Sequence, residues 1–108
     1  YVDCLDGFDL CRMISPEPNT RSTYCYPSCE ISEEASVSRK ELLFKLNELG
    51  IDARPAQPRI SQMPMFSSNT ENPNSKYLEE YGLILPGAFN LSKEDIIFVC
   101  NELKRLLN

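Results

Sequence analysis

The chain is 108 residues long, 42% apolar and 25% charged with only four glycines, which is the size and composition of one soluble globular domain. No run approaches the roughly 20 apolar residues that cross a bilayer, and the opening Tyr-Val-Asp-Cys-Leu-Asp-Gly carries two acids and no basic stretch, so neither a transmembrane span nor a secretory leader is expected. Eleven basic against sixteen acidic residues leave a net charge of -5, a field that repels phosphate backbones and anionic lipid, so nucleic acid and membranes are not expected as partners.

Tyr1, Leu5 and Phe8 are spaced like the tail of an amphipathic helix that Gly7 ends, and with no Met at position 1 the chain reads as cut from something longer. Pro16 to Ser22 is a loop or turn by composition. Tyr24 to Ile31, rich in Tyr and Cys, predicts a strand that Pro27 confines to an edge or a bulge. Residues 36 to 50 predict a helix. Ser38-Arg-Lys-Glu41 reads as its capping box, Leu42, Leu43, Leu46 and Leu49 as its apolar stripe, and Gly50 as a left-handed stop. Glu41 stands four residues before Lys45, the favourable order for a surface pair. Ile51 to Arg54 predicts a short strand.

Pro55 to Pro73 is a long stretch that Pro55, Pro58 and Pro64 hold extended, with a polar tip from Ser67 to Asn72; in a compact domain a structureless loop of that length is more often functional than idle. Ser75 to Tyr81 predicts a short helix with Tyr77, Leu78 and Tyr81 inward and Gly82 as its stop. Leu83 to Leu85 reads as a last strand before Pro86-Gly87. Residues 92 to 107 predict a second clear helix: Ser92 caps it, Asp95 closes the box, Ile96, Ile97, Cys100, Leu103 and Leu107 face inward, and Lys104 and Arg105 sit where the helix dipole favours cations. Strands alternating with helices in this way point to an α+β layer of helices on a sheet of about three strands.

The chain has no His and no Trp. That removes the commonest metal ligand, the usual general base near neutral pH, and every Ser-His or Cys-His nucleophile. Cys4, Cys11, Cys25, Cys29 and Cys100 are an odd number of cysteines at spacings that match no common zinc pattern. Buried free thiols in a reducing compartment explain them better than a metal site or a disulfide framework. Arg54, held by the stiff dipeptide before Pro55, offers a planar fork to a carboxylate or phosphate, or else makes an interdomain or surface salt bridge. Glu33-Glu34 and Glu79-Glu80 read as solvated helix-end charges, because acid–base carboxylates would need burial to shift their pKa values. Asn90-Leu-Ser92 is a glycosylation acceptor in form only; Ser92 as a helix cap explains it better.

Gly50-Ile-Asp-Ala-Arg-Pro55, Ile60-Ser-Gln-Met-Pro64-Met-Phe66, Tyr81-Gly-Leu-Ile-Leu-Pro86 and Leu91-Ser-Lys-Glu-Asp-Ile96 follow one another in an order that resembles the C-terminal region of the DegT/StrS-type sugar aminotransferases, nearest the perosamine-forming branch. The resemblance runs from residue 1 to about 107. It implies the small C-terminal α+β domain of a fold-type I pyridoxal-phosphate enzyme, with about three helices on a short, mainly antiparallel sheet. Residues 1–8 would end the helix that joins the family's two domains, and residues 9–108 would form the small domain. The parent would be a cytoplasmic homodimer that moves an amino group from glutamate to a keto carbon of a nucleotide-linked sugar.

The resemblance also implies that the Schiff-base Lys and the cofactor's other ligands lie in a large domain absent from this chain. Lys40, Lys45, Lys76, Lys93 and Lys104 match none of those motifs, so no catalytic, cofactor-binding or metal-ligating residue is assigned here. The family's loop after Arg-Pro reaches the active-site mouth and usually carries a His; Ser61 takes that place. Arg54 matches the family pattern, and Arg59 stands where Pro is common. Arg54, Arg59 and Ser61 are therefore the candidate substrate-binding residues. A related pyridoxal-phosphate sugar dehydratase and a free-standing non-catalytic binding module are the alternatives. If a partner domain is missing, Tyr24, Tyr26, Met63, Met65 and Phe66 are expected on the surface it would cover.

Overall fold

The computed structural model of the chain describes residues 1–66 and 71–108. Its elements in chain order are α1 (Val2–Leu5), β1 (Cys11–Met13), β2 (Ser28–Ile31), α2 (Arg39–Glu48), β3 (Arg54–Pro55), a 3-10 turn (Ile60–Gln62), α3 (Pro73–Tyr81), β4 (Gly82–Ile84) and α4 (Lys93–Leu107). The architecture is α+β, and the four strands form one antiparallel sheet in the order β1-β2-β4-β3.

Local chemistry accounts for the helix ends. The Asp95 N–H donates to Ser92 Oγ at 3.1 Å and the Ser92 N–H donates to Asp95 Oδ2 at 2.8 Å, so two of the donors that a helix start leaves open are satisfied reciprocally. At α2 only half of the expected box forms. The Glu41 N–H donates to Ser38 Oγ at 3.3 Å, while the Glu41 carboxylate turns instead to Lys45 Nζ, 2.9 Å away. Gly50 closes α2 at φ +76°, with its N–H on Asn47 O and the Ile51 N–H on Leu46 O. This crossed pair is a Schellman ending, and Ile51 and Leu46, both buried, make its apolar contact.

The period-2 alternation of the strands builds the core on one face of the sheet. Register pairs Cys11 with Ile31, Met13 with Cys29, and Cys29 with Leu83. Of these, Cys11, Cys29, Ile31 and Leu83 are buried together with Leu5 of α1, Leu42 and Leu46 of α2, and Val99, Cys100, Leu103 and Leu107 of α4. Each fully buried Leu contributes roughly 1.5–3 kcal/mol over its exposed state, so this layer is the principal stabilising unit. The opposite face carries Arg12, Glu30 and Gly82, and α3 packs there against β2 and β4.

The strands depart most from expectation. Cys11–Met13 joins the sheet although its three residues are too few to display alternation. The strand predicted from Tyr24 begins only at Ser28, because Tyr24 sits at φ +51° and Pro27 has no N–H to give to a ladder. The strand predicted at Ile51 to Arg54 moves to Arg54–Pro55, since Ile51 is consumed by the end of α2. On the helices, Leu49 is 40% and Ile97 39% exposed, and Val99 takes the buried place on α4 instead. Three cysteines are buried as expected, Cys4 is half-buried, and Cys25 is exposed; all five are free. Among the described residues no helix is long and apolar enough to cross a membrane.

Candidate functional site

β3 is an edge strand, paired only with β4, and the segment carrying the three candidate residues leaves from it. Pro55 suits that edge because it lacks a donor; the next amide, Ala56, completes the ladder by donating to Gly82 O at 2.9 Å. Register puts Ser28, Ile84 and Arg54 in one row across the sheet, so Tyr24 and Tyr26, just upstream of Ser28, emerge at the same end as Arg54.

Arg54 closes a fork on Asp52: Nε lies 3.2 Å from Oδ1 and Nη2 2.8 Å from Oδ2. The hydrogen bonds and charge of Arg54 hold the Asp52 carboxyl below its usual range, and Asp52, with a smaller contribution from the Tyr26 phenol, raises the guanidinium. Both side chains are about two-thirds exposed. The pair is thus a surface bridge that any second anion or cation would meet in water, and it adds little to stability.

Arg59 is held differently. Its backbone N–H donates to Glu79 Oε1 at 3.2 Å, and its Nε donates to Glu79 Oε2. The two side chains are only 20% and 28% exposed. Glu79 is therefore no solvated helix-end charge, as its sequence context suggests, but the group that joins α3 to the segment after β3. The Arg59 hydrogen bonds set its carboxyl below the usual range. A Glu–Arg pair separated by 20 residues has no periodicity to reveal it.

Ser61 lies inside the 3-10 turn, half-buried, and its hydroxyl has no hydrogen-bond partner among the described residues. Local hydrogen bonds shape the rest of the segment: Gln62 N–H to Arg59 O, Met63 N–H to Ile60 O, and Phe66 N–H to Met63 O. It is therefore not the uniformly extended stretch that its prolines suggest. The expected polar tip lies partly outside the described residues. Ile60, Met65 and Phe66 are exposed, as are Tyr24 and Tyr26, while Met63 is half-buried. Arg54, Arg59 and Ser61 thus lie along one stretch of chain but on different partners, Arg54 with Asp52 and Arg59 with Glu79; exposed aliphatic and aromatic side chains line the stretch, and Tyr24 and Tyr26 are exposed at the Arg54 end of the sheet.

A concavity of about 620 Å³ lies elsewhere, toward the β1 edge, between Arg12, Met13 and Glu30 of the sheet and Asn74, Tyr77 and Leu78 of α3. Arg12 is already bridged to Glu30 there. Tyr77 stacks obliquely on Tyr81, their centroids 4.8 Å apart. The sequence holds no signal for this cleft, because β1 is too short to show which of its residues share a face.

The lysines bear on whether pyridoxal phosphate can be held by these residues. Lys45 is paired with Glu41, Lys104 lies 5.9 Å from the centroid of the Phe8 ring, and Lys40, Lys76 and Lys93 are exposed. An imine-forming Lys must instead sit in a pocket that lowers its pKa, beside a partner for the pyridine nitrogen. The described residues do not fit that group.

A sequence model of the DegT/DnrJ/EryC1/StrS aminotransferase family matches residues 1–104. The chain belongs to this family. A comparison with curated proteins finds no match. Among solved structures, the fold is similar to that of the aminotransferase TlmJ from Streptoalloteichus hindustanus, with a TM-score of 0.81 and 20% identity over 97% of this chain. It is similar to S. venezuelae DesV in complex with a ketimine intermediate, at TM-score 0.79 and 17% identity over 96% of this chain. It also resembles the E. coli GDP-4-keto-6-deoxy-D-mannose-3-dehydratase with bound hydrated PLP, at TM-score 0.73 and 19% identity over 99% of this chain. In each case the match covers 28% of the other chain, so this DegT-family chain spans a little over a quarter of the length of those structures.

Proposed function

We propose that this chain is the small C-terminal domain of a pyridoxal-phosphate enzyme that transfers an amino group from glutamate to a nucleotide-linked keto-deoxy sugar. In this reading residues 1–8 end the interdomain helix and residues 9–108 form the domain that shapes the substrate entrance. One observation carries it: a family match over nearly the whole chain, joined to a fold that fills 96–99% of this chain but 28% of its structural neighbours. The cofactor, when bound in the parent, supplies the electron sink for amino transfer. The lysine and the cofactor's other ligands come from the large domain.

The work of this chain is binding and exclusion of water. The Ser61 hydroxyl, free to donate and accept, meets a sugar or phosphate oxygen. Arg54 offers its fork to a substrate anion in competition with Asp52, and Arg59 offers only those guanidinium N–H groups that Glu79 leaves. The exposed Tyr24, Tyr26, Met65 and Phe66 meet the large domain or the second subunit of a cytoplasmic homodimer.

The structural likeness to a sugar dehydratase supports a second reading, in which the parent removes water from the sugar with no net amino transfer. The test is the full-length protein, incubated with pyridoxal phosphate, glutamate and a nucleotide-linked 4-keto-6-deoxy sugar, with products read by mass spectrometry. An aminated sugar and 2-oxoglutarate in equal amounts support the transferase. A deoxygenated sugar without nitrogen supports the dehydratase. Neither product, and no binding of the nucleotide sugar, leaves the free-standing binding module.

A further inference from the structure

The segment from Ala56 to Phe66 has little to hold it. Its prolines limit the backbone, but Ile60, Met65 and Phe66 are exposed, and the hydrogen bonds at Gln62, Met63 and Phe66 stay within it. Among the described residues only two ties reach the rest of the fold. One is at the base, Ala56 N–H to Gly82 O. The other is the Glu79 carboxylate, which takes the backbone N–H of Arg59 on one oxygen and its Nε on the other. A segment with so few buried apolar contacts belongs to the low-stability end of a fold, where one polar tie sets its position.

Two details make that tie a geometric constraint. The carboxylate grips the main chain as well as the side chain, so it fixes where the backbone of Arg59 lies and not merely where a long flexible side chain ends. Arg59 is also the residue that opens the turn, with its C=O accepting from Gln62 N–H at 3.1 Å and Ser61 lying inside. The anchor on the other side is firm, because Glu79 stands in the last turns of α3 and α3 runs straight into β4. We propose that Glu79 is a positioning residue for the substrate entrance: by holding Arg59 it sets the Ile60–Gln62 turn, and so places the Ser61 hydroxyl toward the sugar. This rests on the reading of the segment as the entrance. It also reassigns Arg59, whose chief role becomes support of the turn.

The experiment uses the full-length protein with Glu79→Gln, Glu79→Asp and Arg59→Met. Hydrogen exchange over residues 57–66 reads the tie without any activity, and steady-state kinetics with the nucleotide-linked keto sugar read its consequence. In Glu79→Gln, exchange over 57–66 should quicken and the KM for the sugar should rise roughly fivefold, with kcat and the glutamate KM little changed. Arg59→Met, which keeps the main-chain N–H on Glu79, should do the same to a smaller extent, and the double variant should be no worse than Glu79→Gln alone. Glu79→Asp, which keeps the charge, should recover part of the sugar KM. Unchanged exchange in both single variants would overturn the proposal, and so would faster exchange with an unaltered sugar KM. If the wild-type protein neither turns over nor binds the nucleotide sugar, the entrance reading falls and the positioning role with it; the exchange data then still report whether Glu79 holds the turn, which separates the two failures.

Discussion

The junction of α3 and β4 allows a sharp test of the packing beneath the candidate site. Gly82 has φ -79° and ψ 140°, ordinary extended backbone that alanine adopts freely. On conformational grounds alone, Gly82→Ala should stabilise the fold by about 0.4–1 kcal/mol, because it stiffens the unfolded chain. The structure reverses that sign. A Cβ at Gly82 would lie 2.4 Å from Leu78 O and 2.7 Å from Ala56 Cβ. Both are about an ångström inside normal contact, and the first neighbour is helix backbone, which cannot rotate away. Overpacking of this kind costs roughly 1–3 kcal/mol, and against rigid helix backbone it falls in the upper half, about 2–3 kcal/mol, leaving a net loss of about 1–2.5 kcal/mol after the entropic gain. With a urea dependence near 2 kcal/mol per molar, the midpoint of the 108-residue chain should fall by roughly 0.5–1.25 M. Since Ala56 N–H is tied to Gly82 O, the same variant should also loosen the start of the candidate segment, which hydrogen exchange at residues 56–60 would show. Ala56→Gly in that background removes one of the two clashes and should restore part of the loss. A Gly82→Ala chain as stable as the parent, or more so, would refute the reasoning.

Gly50→Ala tests the opposite case: nothing lies within 4 Å of the added methyl, but φ is +76°, so the loss of about 1 kcal/mol should come from the backbone alone and leave exchange in the candidate segment untouched. The thiols should divide by exposure under a disulfide-exchange reagent, with Cys25 fast, Cys4 slower, and Cys11, Cys29 and Cys100 silent until denaturant is added. Burial above all pushes the Cys100 thiol up to about 11, and three fast thiols in the native chain would contradict this packing. Acid should weaken the fold through depressed carboxyls that hold structure: Asp95, held down first by the Ser92 N–H and then by its hydroxyl, and Glu79 by Arg59. Because the unfolded chain takes up these protons first, the stability they add is complete above the unfolded carboxyl range, near pH 4, and is lost as pH falls through the lower folded values. Asp95→Asn should therefore lie below the parent in urea midpoint near pH 7 and converge with it as pH falls below the lowered folded carboxyl range, and a gap that persists in stronger acid would show that the cap acts through something other than its charge.

What the sequence discloses of this fold follows the range of the forces involved. The ends of α2 and α4 are legible because capping and the Schellman ending are settled within six residues, so Ser92, Asp95 and Gly50 announce themselves. The buried stripes are nearly as legible, with Leu42, Leu46, Cys100, Leu103 and Leu107 all found in the core. Errors begin where an element is too short for its period to register. β1 shows three residues and β3 two, and neither length distinguishes a strand from a loop without the partner strand that selects it.

The candidate site is legible to the same extent and fails for the same reason. Arg54, Arg59 and Ser61 could be named because they lie close together along the chain and match an ordered set of family residues. Their surroundings could not be named. Asp52 beside Arg54 is local, and a two-residue spacing on an extended segment permits the pairing without requiring it. Glu79 stands 20 residues from Arg59, on a helix whose own pattern of Tyr77, Leu78 and Tyr81 leaves it on the apparent solvent side. Only the direct passage of α3 into β4, with no intervening residue, brings that side back over the segment leaving β3. That passage runs through Gly82, where the helix end, the strand and the base of the segment approach within a methyl group of one another. The glycine, read from the sequence as a stop for a helix, thus also leaves room for the base of the segment that Glu79 holds further along. A methyl group added at Gly82 acts on that base first, at Ala56, and reaches Arg59 only through Gln57 and Pro58 between them.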